Sequence, residues 1–317
     1  MNPSSSTSKL LVNVDQSISN YGLDYHLSTA LNSWRDATAS LVDITTTNSS
    51  QNTRNTIYAG DYNDAWYGMC LSYPNSSGGL SYFTIQINNR SLTNAPNTTS
   101  KFNYFLSTIT HEFGHPLGLA DNPVTNSESL MKHNRNRNII YAPTFFDITA
   151  IYEKYPRMYA TNTSQASLHG EINTNGIETC QIYTDYMVYE NSSDLYNKAD
   201  LIIVCEPTNS YQSFELVGNN NLAYTFTDVA VKSVIKGNGD VSNITVKQLG
   251  GFINGCKYLS DDVEYLSCGN KYLLFLEVYE DGTASLINPV QGMYYYNNNS
   301  AVARNSSDAL DISDLLL

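Results

Sequence analysis

Apolar residues recur along this chain with two alternating periods. Leu10, Val12 and Val14 are separated by single residues, the period of a strand. Leu23, Leu27, Leu31 and Trp34 follow at steps of four, four and three, which predicts an amphipathic helix with Asp24 near its start as a cap. Residues 42–47, 57–59 and 66–73 read as three further strands, the last closed by Pro74 and a Ser-Ser-Gly-Gly turn. Phe83, Ile85 and Ile87 mark a fifth strand. Phe102, Phe105, Leu106, Ile109 and Phe113 return to the helical period and predict a long helix with these residues on its inner face.

Beyond residue 156 the pattern changes. A polar stretch rich in Thr, Ser and Asn reads as a linker. Short apolar runs then follow at 201–204, 225–235, 244–246, 272–278 and 284–287, punctuated by Lys236-Gly237-Asn238-Gly239 and Gly250-Gly251. Short strands with glycine turns suggest a small β-barrel or sandwich. The expected organisation is a tail at 1–8, a first domain at 9–156, a linker at 157–178, a β domain at 179–300 and a C-terminal tail at 301–317. The fold class is α+β.

Composition narrows the function. A formal net charge of −13 argues against nucleic acid as a partner. No stretch is long and apolar enough to span a membrane. The first residues lack the basic and apolar regions of a signal peptide, while the Ser/Asn/Thr/Tyr-rich composition suits a secreted surface. A secreted protein whose leader is absent from this sequence is the expectation. Five cysteines are too few for a disulfide scaffold. Cys256 and Cys268 flank a short loop and could bridge, or all five could be reduced.

The chemistry concentrates at residues 111–121, His-Glu-Phe-Gly-His-Pro-Leu-Gly-Leu-Ala-Asp. On a helix His111 and His115 leave one face, a spacing that suits two ligands of one tetrahedral zinc. Glu112 stands beside the first ligand, where a general base for a zinc-activated water is needed. Gly118 tolerates the left-handed conformation that reverses the chain. Asp121 can then swing back as a third ligand, leaving the fourth position open. His133 sits in a polar run with Arg135 and Arg137 and reads as a solvated loop residue. His26 and His169 carry no functional signal.

The extended motif at 111–121, Ser129-Leu130-Met131 and Asp147-Ile148 together resemble the metzincin zinc metalloproteases, most closely matrixins and their small bacterial relatives, over roughly residues 8–156. The resemblance implies a metzincin catalytic domain with a five-stranded mixed sheet and three helices. It implies one catalytic Zn2+ on His111, His115 and Asp121, with Glu112 as general base and Met131 as the Met-turn floor. It further implies that 66–73 is an edge strand pairing antiparallel with substrate, with Tyr67, Gly68 and Met69 in contact and Tyr141 and Pro143 walling the pocket. Three departures stand out. The third ligand is Asp121 where most metzincins carry histidine. Pro116 follows the second ligand and removes a helical N–H. Phe146 replaces the first of two acidic residues at the last helix.

Segments at 199–203, 231–237 and 269–276 resemble the oligonucleotide/oligosaccharide-binding (OB) barrel of the netrin or tissue-inhibitor-of-metalloprotease type, over roughly 180–296. The expected function is a secreted zinc endopeptidase acting on proteins or peptides, with a possible contact between its C-terminal domain and the active-site cleft. The alternative is a non-catalytic or self-restrained binding protein on the same scaffold.

Overall fold

The alternating apolar positions of the first half assemble into one mixed sheet. The computed structural model describes residues 8–75, 79–95, 100–155, 178–217, 220–297, 300–303 and 310–315. Residues 1–7 of the expected tail, 157–177 of the expected linker (with His169) and parts of the C-terminal tail lie outside them. The chain divides into two units: Met1–Gly60 with Gly68–Asp185, and Asp61–Tyr67 with Tyr186–Leu317.

The first unit contains β1 (Ser8–Val14), α1 (Gln16–Asn20), α2 (Asp24–Ala37), β2 (Val42–Thr47), β3 (Thr56–Gly60), β4 (Gly68–Pro74), β5 (Leu80–Asn88), α3 (Asn89–Thr93), α4 (Lys101–Gly114), α5 (Phe145–Lys154) and β6 (Glu178–Asp185). The strands lie in the order β6-β4-β5-β3-β1-β2. Neighbours among β2, β1, β3 and β5 run parallel, and β4 is antiparallel to both β5 and β6. Val12, Ile57, Phe83, Ile85 and Ile87 are fully buried, as alternation requires. Helix α2 presents Leu27, Ala30, Leu31 and Trp34 to the interior, and the Trp34 indole N–H donates to the Thr110 carbonyl of α4 at 2.8 Å. Asp24 begins α2 without capping it; its carboxylate accepts from the Ser19 hydroxyl.

Strand β6 was not visible as a strand in the sequence, which placed residues 179–185 in the following domain. Its buried positions, Cys180, Ile182 and Thr184, do alternate, but polar residues fill half of it and mask the period. Pairing with β4 places it in the first unit, which then contributes six strands to its sheet rather than five.

The second unit contains α6 (Ser192–Lys198), β7 (Leu201–Val217), β8 (Asn220–Lys236), β9 (Asn243–Leu249), β10 (Gly251–Ile253), β11 (Cys256–Ser260), β12 (Tyr272–Val278), β13 (Thr283–Leu286), β14 (Met293–Asn297) and β15 (Ser300–Ala303). Strands β7, β8, β9, β13 and β12 close into a ring, because β13 pairs parallel with β9 and antiparallel with β12, and β12 returns to β7. Leu201, Ile203, Cys205, Tyr272, Leu274 and Leu276 fill one core. The intervening Ile202, Val204, Leu273 and Phe275 enter a second core with Leu195 of α6 and Tyr294 of β14. Burial on both faces explains why these two strands read as continuous apolar runs. All five cysteines are free thiols, so Cys256 and Cys268 do not bridge. Among the described residues no helix is long and apolar enough to cross a membrane.

Within this unit Asp64 is buried, accepting from the Tyr224 hydroxyl at 3.0 Å and the Ala65 N–H at 2.7 Å. Burial pushes its carboxyl up to about 6, and the nearby Lys247 ammonium only partly opposes this. A raised carboxyl favours the protonated folded state, so its stabilising effect is complete below the unfolded value near 4 and is lost as pH rises through about 6. Thermal melts between pH 4 and 7 should show wild type losing on the order of 2–3 kcal/mol relative to Asp64→Asn across that window. A pH-independent difference between the two proteins would contradict this assignment.

Candidate metal centre

Helix α4 delivers the motif. Ser100 starts it by accepting the Asn103 N–H, and residues 104–114 are all buried. The helix therefore runs through the interior, and Phe102, expected on its inner face, is 38% exposed instead. It ends at Gly114, with His115 as C-cap, because Pro116 has no N–H to continue the ladder. The Leu119 N–H then bonds the Gly114 carbonyl at 3.0 Å and the Gly118 N–H bonds the His115 carbonyl at 2.7 Å. This paired helix stop requires a left-handed residue, and Gly118 has φ of +91°.

The reversal brings Asp121 back to both imidazoles. Its Oδ1 lies 3.1 Å from His111 Nε2 and 3.6 Å from His115 Nε2. Ligand bonds of about 2.0–2.1 Å in a tetrahedron give ligand–ligand edges of roughly 3.3 Å, so these spacings suit a zinc ion. Both imidazoles are already oriented. His111 Nδ1 is 2.9 Å from the Leu130 carbonyl and His115 Nδ1 is 3.0 Å from the Leu119 carbonyl. A carbonyl only accepts, so each Nδ1 carries the proton and each Nε2 turns a lone pair to the common point. These two Nε2 atoms and Asp121 Oδ1 are buried with no well-formed hydrogen bond, a costly arrangement that a cation would relieve. Burial lowers the His115 imidazole to about 4, favouring the neutral form a metal needs. For Asp121, burial acts upward, but the His115 and His133 imidazoles outweigh it and hold the carboxyl well below its usual range.

The turn after the motif is held from below. Asp147 Oδ1 accepts from the Ser129 hydroxyl at 2.6 Å, and Oδ2 accepts from the Leu130 and Thr144 N–H groups, each at 2.8 Å. Leu130 is thereby fixed with its carbonyl on His111. Met131 is 1% exposed, and its sulfur packs against Gly114, the residue before His115. Glu112 is fully buried, with Oε2 3.9 Å from His115 Nε2. Burial first, then the Asp185 and Asp121 charges, raise its carboxyl well above the usual range.

His133, read as a solvated loop residue, is instead buried, and so are its neighbours Arg135 and Arg137. The Asn122 carboxamide accepts the His133 N–H at 2.9 Å and turns its amino group to His133 Nδ1 at 3.1 Å. His133 Nδ1 must then accept, so Nε2 carries the proton and reaches Asp121 Oδ1 at 3.1 Å. His133 thus sets an N–H beside Asp121, in a contact that is not a well-formed hydrogen bond. Arg135 grips both oxygens of Asp185 at 3.1 and 2.8 Å, and Arg137 adds a third bond. These ion pairs outweigh burial and hold Asp185 well below the usual carboxylate range.

The expected substrate strand differs most from the structure. Strand β4 starts at Gly68, and Tyr67 is a buried residue of the segment that belongs to the second unit. β4 has no free edge: Met69 pairs with Gln86 of β5 on one side and Thr184 of β6 on the other. A side chain at Gly68 would run into Glu112, so β4 passes directly beside the candidate base. On β6, the Tyr183 ring stacks on His115 at 4.4 Å and 9°. Tyr141 is 38% exposed and Pro143 half-buried, in the loop before α5. Of the residues missed in sequence, only His133 carries a local signal, its position two residues past Met131. Removing the Asp147 carboxylate should free the Leu130 turn. Cobalt titration of Asp147→Ala against a chelator should show metal affinity lowered roughly tenfold or more, and wild-type affinity would refute the support role.

No described protein family matches the chain, and no curated protein matches it. Among solved structures, one described as the GM1 bound form of the ECX AB5 holotoxin is similar over 45% of this chain and 78% of the matched chain, at 17% identity and a TM-score of 0.32. A likeness at that score carries no argument about fold or function.

Proposed function

We propose that this chain is a secreted zinc-dependent endopeptidase of the metzincin type, with its first unit as the catalytic domain and the five-stranded ring of the second as an OB-like accessory barrel. The observation that carries the reading is the convergence of His111 Nε2, His115 Nε2 and Asp121 Oδ1 on one buried point beside Glu112. A zinc ion held there supplies Lewis-acid chemistry, polarising a peptide carbonyl and acidifying water. The remaining work falls to the chain's own side chains. The Leu130 and Leu119 carbonyls keep both imidazoles in the tautomer that binds metal. Glu112 takes the proton from the attacking water and returns it to the leaving amine.

Metal analysis and hydrolysis of casein test the reading, with Glu112→Ala made both in wild type and in a Tyr183→Ala background that uncovers His115. About one zinc per chain is expected in every variant. Glu112→Ala should lower cleavage at least about a hundredfold. A zinc-loaded protein whose cleavage is unaffected by that substitution in either background would sink the proposal.

A further inference from the structure

The edge of β4 beside Glu112 is where an extended peptide would add to the sheet, and β6 already lies along it. β6 runs antiparallel to β4, with Ile182 opposite Leu71, Tyr183 opposite Cys70 and Asp185 opposite Gly68. It is tied down by side chains as well. Tyr183 lies flat on the metal-ligating His115. Asp185 ends the strand in the grip of Arg135 and Arg137, with Thr108 Oγ1 at 3.5 Å. The potential ligand atoms of Asp185, His111 and His133 all lie within 4.8 Å of one another, so this carboxylate stands at the margin of the metal centre. Both guanidinium groups come from the loop that follows Met131, the same loop that carries His133.

We propose that β6 is an internal substrate mimic, and that Arg135 and Arg137 form a subsite for an acidic side chain that is filled by the chain's own Asp185. The inference rests on the endopeptidase reading and names its substrate class: extended peptides with an aromatic residue over His115 and an acidic residue two positions later. The physical reason is the charge left behind. With β6 displaced, Arg135 keeps its bonds to Ser107 and to the Lys132 carbonyl, but both buried guanidinium groups lose their carboxylate, and an anionic group restores that charge pairing. Strand addition supplies main-chain hydrogen bonds without regard to sequence, so the arginine pair is what selects. A tyrosine two residues before the acid matches the ring that now covers His115.

The test uses full-length, zinc-loaded protein in a Glu112→Ala background, so that binding is read without turnover. The probe is a fluorescent peptide of sequence Gln-Ile-Tyr-Thr-Asp, and its control ends in Asn. Fluorescence anisotropy should show weak binding to the parent chain and at least tenfold tighter binding once Asp185→Ala empties the subsite. The Asn peptide should bind that variant at least tenfold more weakly than the Asp peptide. Asp185→Asn, which keeps the shape of the side chain and removes its charge, guards against an Asp185→Ala protein that fails to fold; it should also bind the Asp peptide more tightly than the parent. Folded variants that bind no better than the parent, or that bind both peptides alike, overturn the proposal. With Glu112 restored, the outcomes separate. Opened variants that bind the Asp peptide but cleave nothing overturn the peptidase reading and leave the acidic subsite standing. Variants that cleave casein yet ignore the acid overturn the subsite alone.

Discussion

Asp147 accepts hydrogen bonds from Ser129, Leu130 and Thr144, and the candidate centre depends on the turn those bonds close. The order of support runs from that carboxylate to Leu130, from the Leu130 carbonyl to His111, and from His111 to the point where the ligand atoms converge. A second line of contacts reaches the same point from Asn122, through the His133 ring, to Asp121. Asn122 also joins the two lines, since its N–H bonds the Met131 carbonyl at 2.9 Å. The motif and the turn are thus one hydrogen-bonded body. Loosening either end costs orientation at the ligands before it costs the fold, which is the usual behaviour of groups that hold metal-binding side chains from behind.

What was legible in the sequence was local. Two histidines four apart on a helix and a glycine at its stop are decided within one or two turns of chain, and so the reversal at Gly118 follows from the residues alone. His133, Arg135 and Arg137 illustrate the opposite case. A histidine and two arginines among asparagines have the composition of a solvated loop, and only partners distant in the chain bury them. Asp185 lies 48 and 50 residues beyond the two arginines, across a polar stretch that hides the connection. The same stretch hid β6, and with it the fact that β4 is covered on both edges. The start of β7 (201–204) and β12 were legible because both faces are buried and their apolar runs are unbroken; the rest of β7, to Leu216, is polar and largely exposed and was not. The short β14 and β15, only five and four residues long and paired late in the sheet, were not.

The pairing of β6 with β4 changes what the rest of the centre can do. A catalytic group beside an open edge would meet any extended chain. Here Glu112, Gly68, His115 and Tyr183 are packed together, and the same burial that raises the Glu112 carboxyl also excludes a second peptide. On the proposed reading burial serves the chemistry and the restraint at once, because a dry site strengthens the pairing of Asp185 with its arginines.

The size of the proposed restraint follows from the ion pairs. Removing one partner from a buried pair typically costs about 3–5 kcal/mol, because the other charge is left uncompensated. At about 1.4 kcal/mol per tenfold, spontaneous release of Asp185 alone would leave the subsite empty in roughly one molecule in 10² to 10⁴. Main-chain bonds of β6 to β4 make release rarer still. A neutral peptide entering the cleft bears that whole cost, whereas an acidic one exchanges one carboxylate for another and bears little of it. In the proposed mimic, selectivity for acid and rarity of opening are therefore the same free energy, set by two arginines that no local pattern in the sequence marks out.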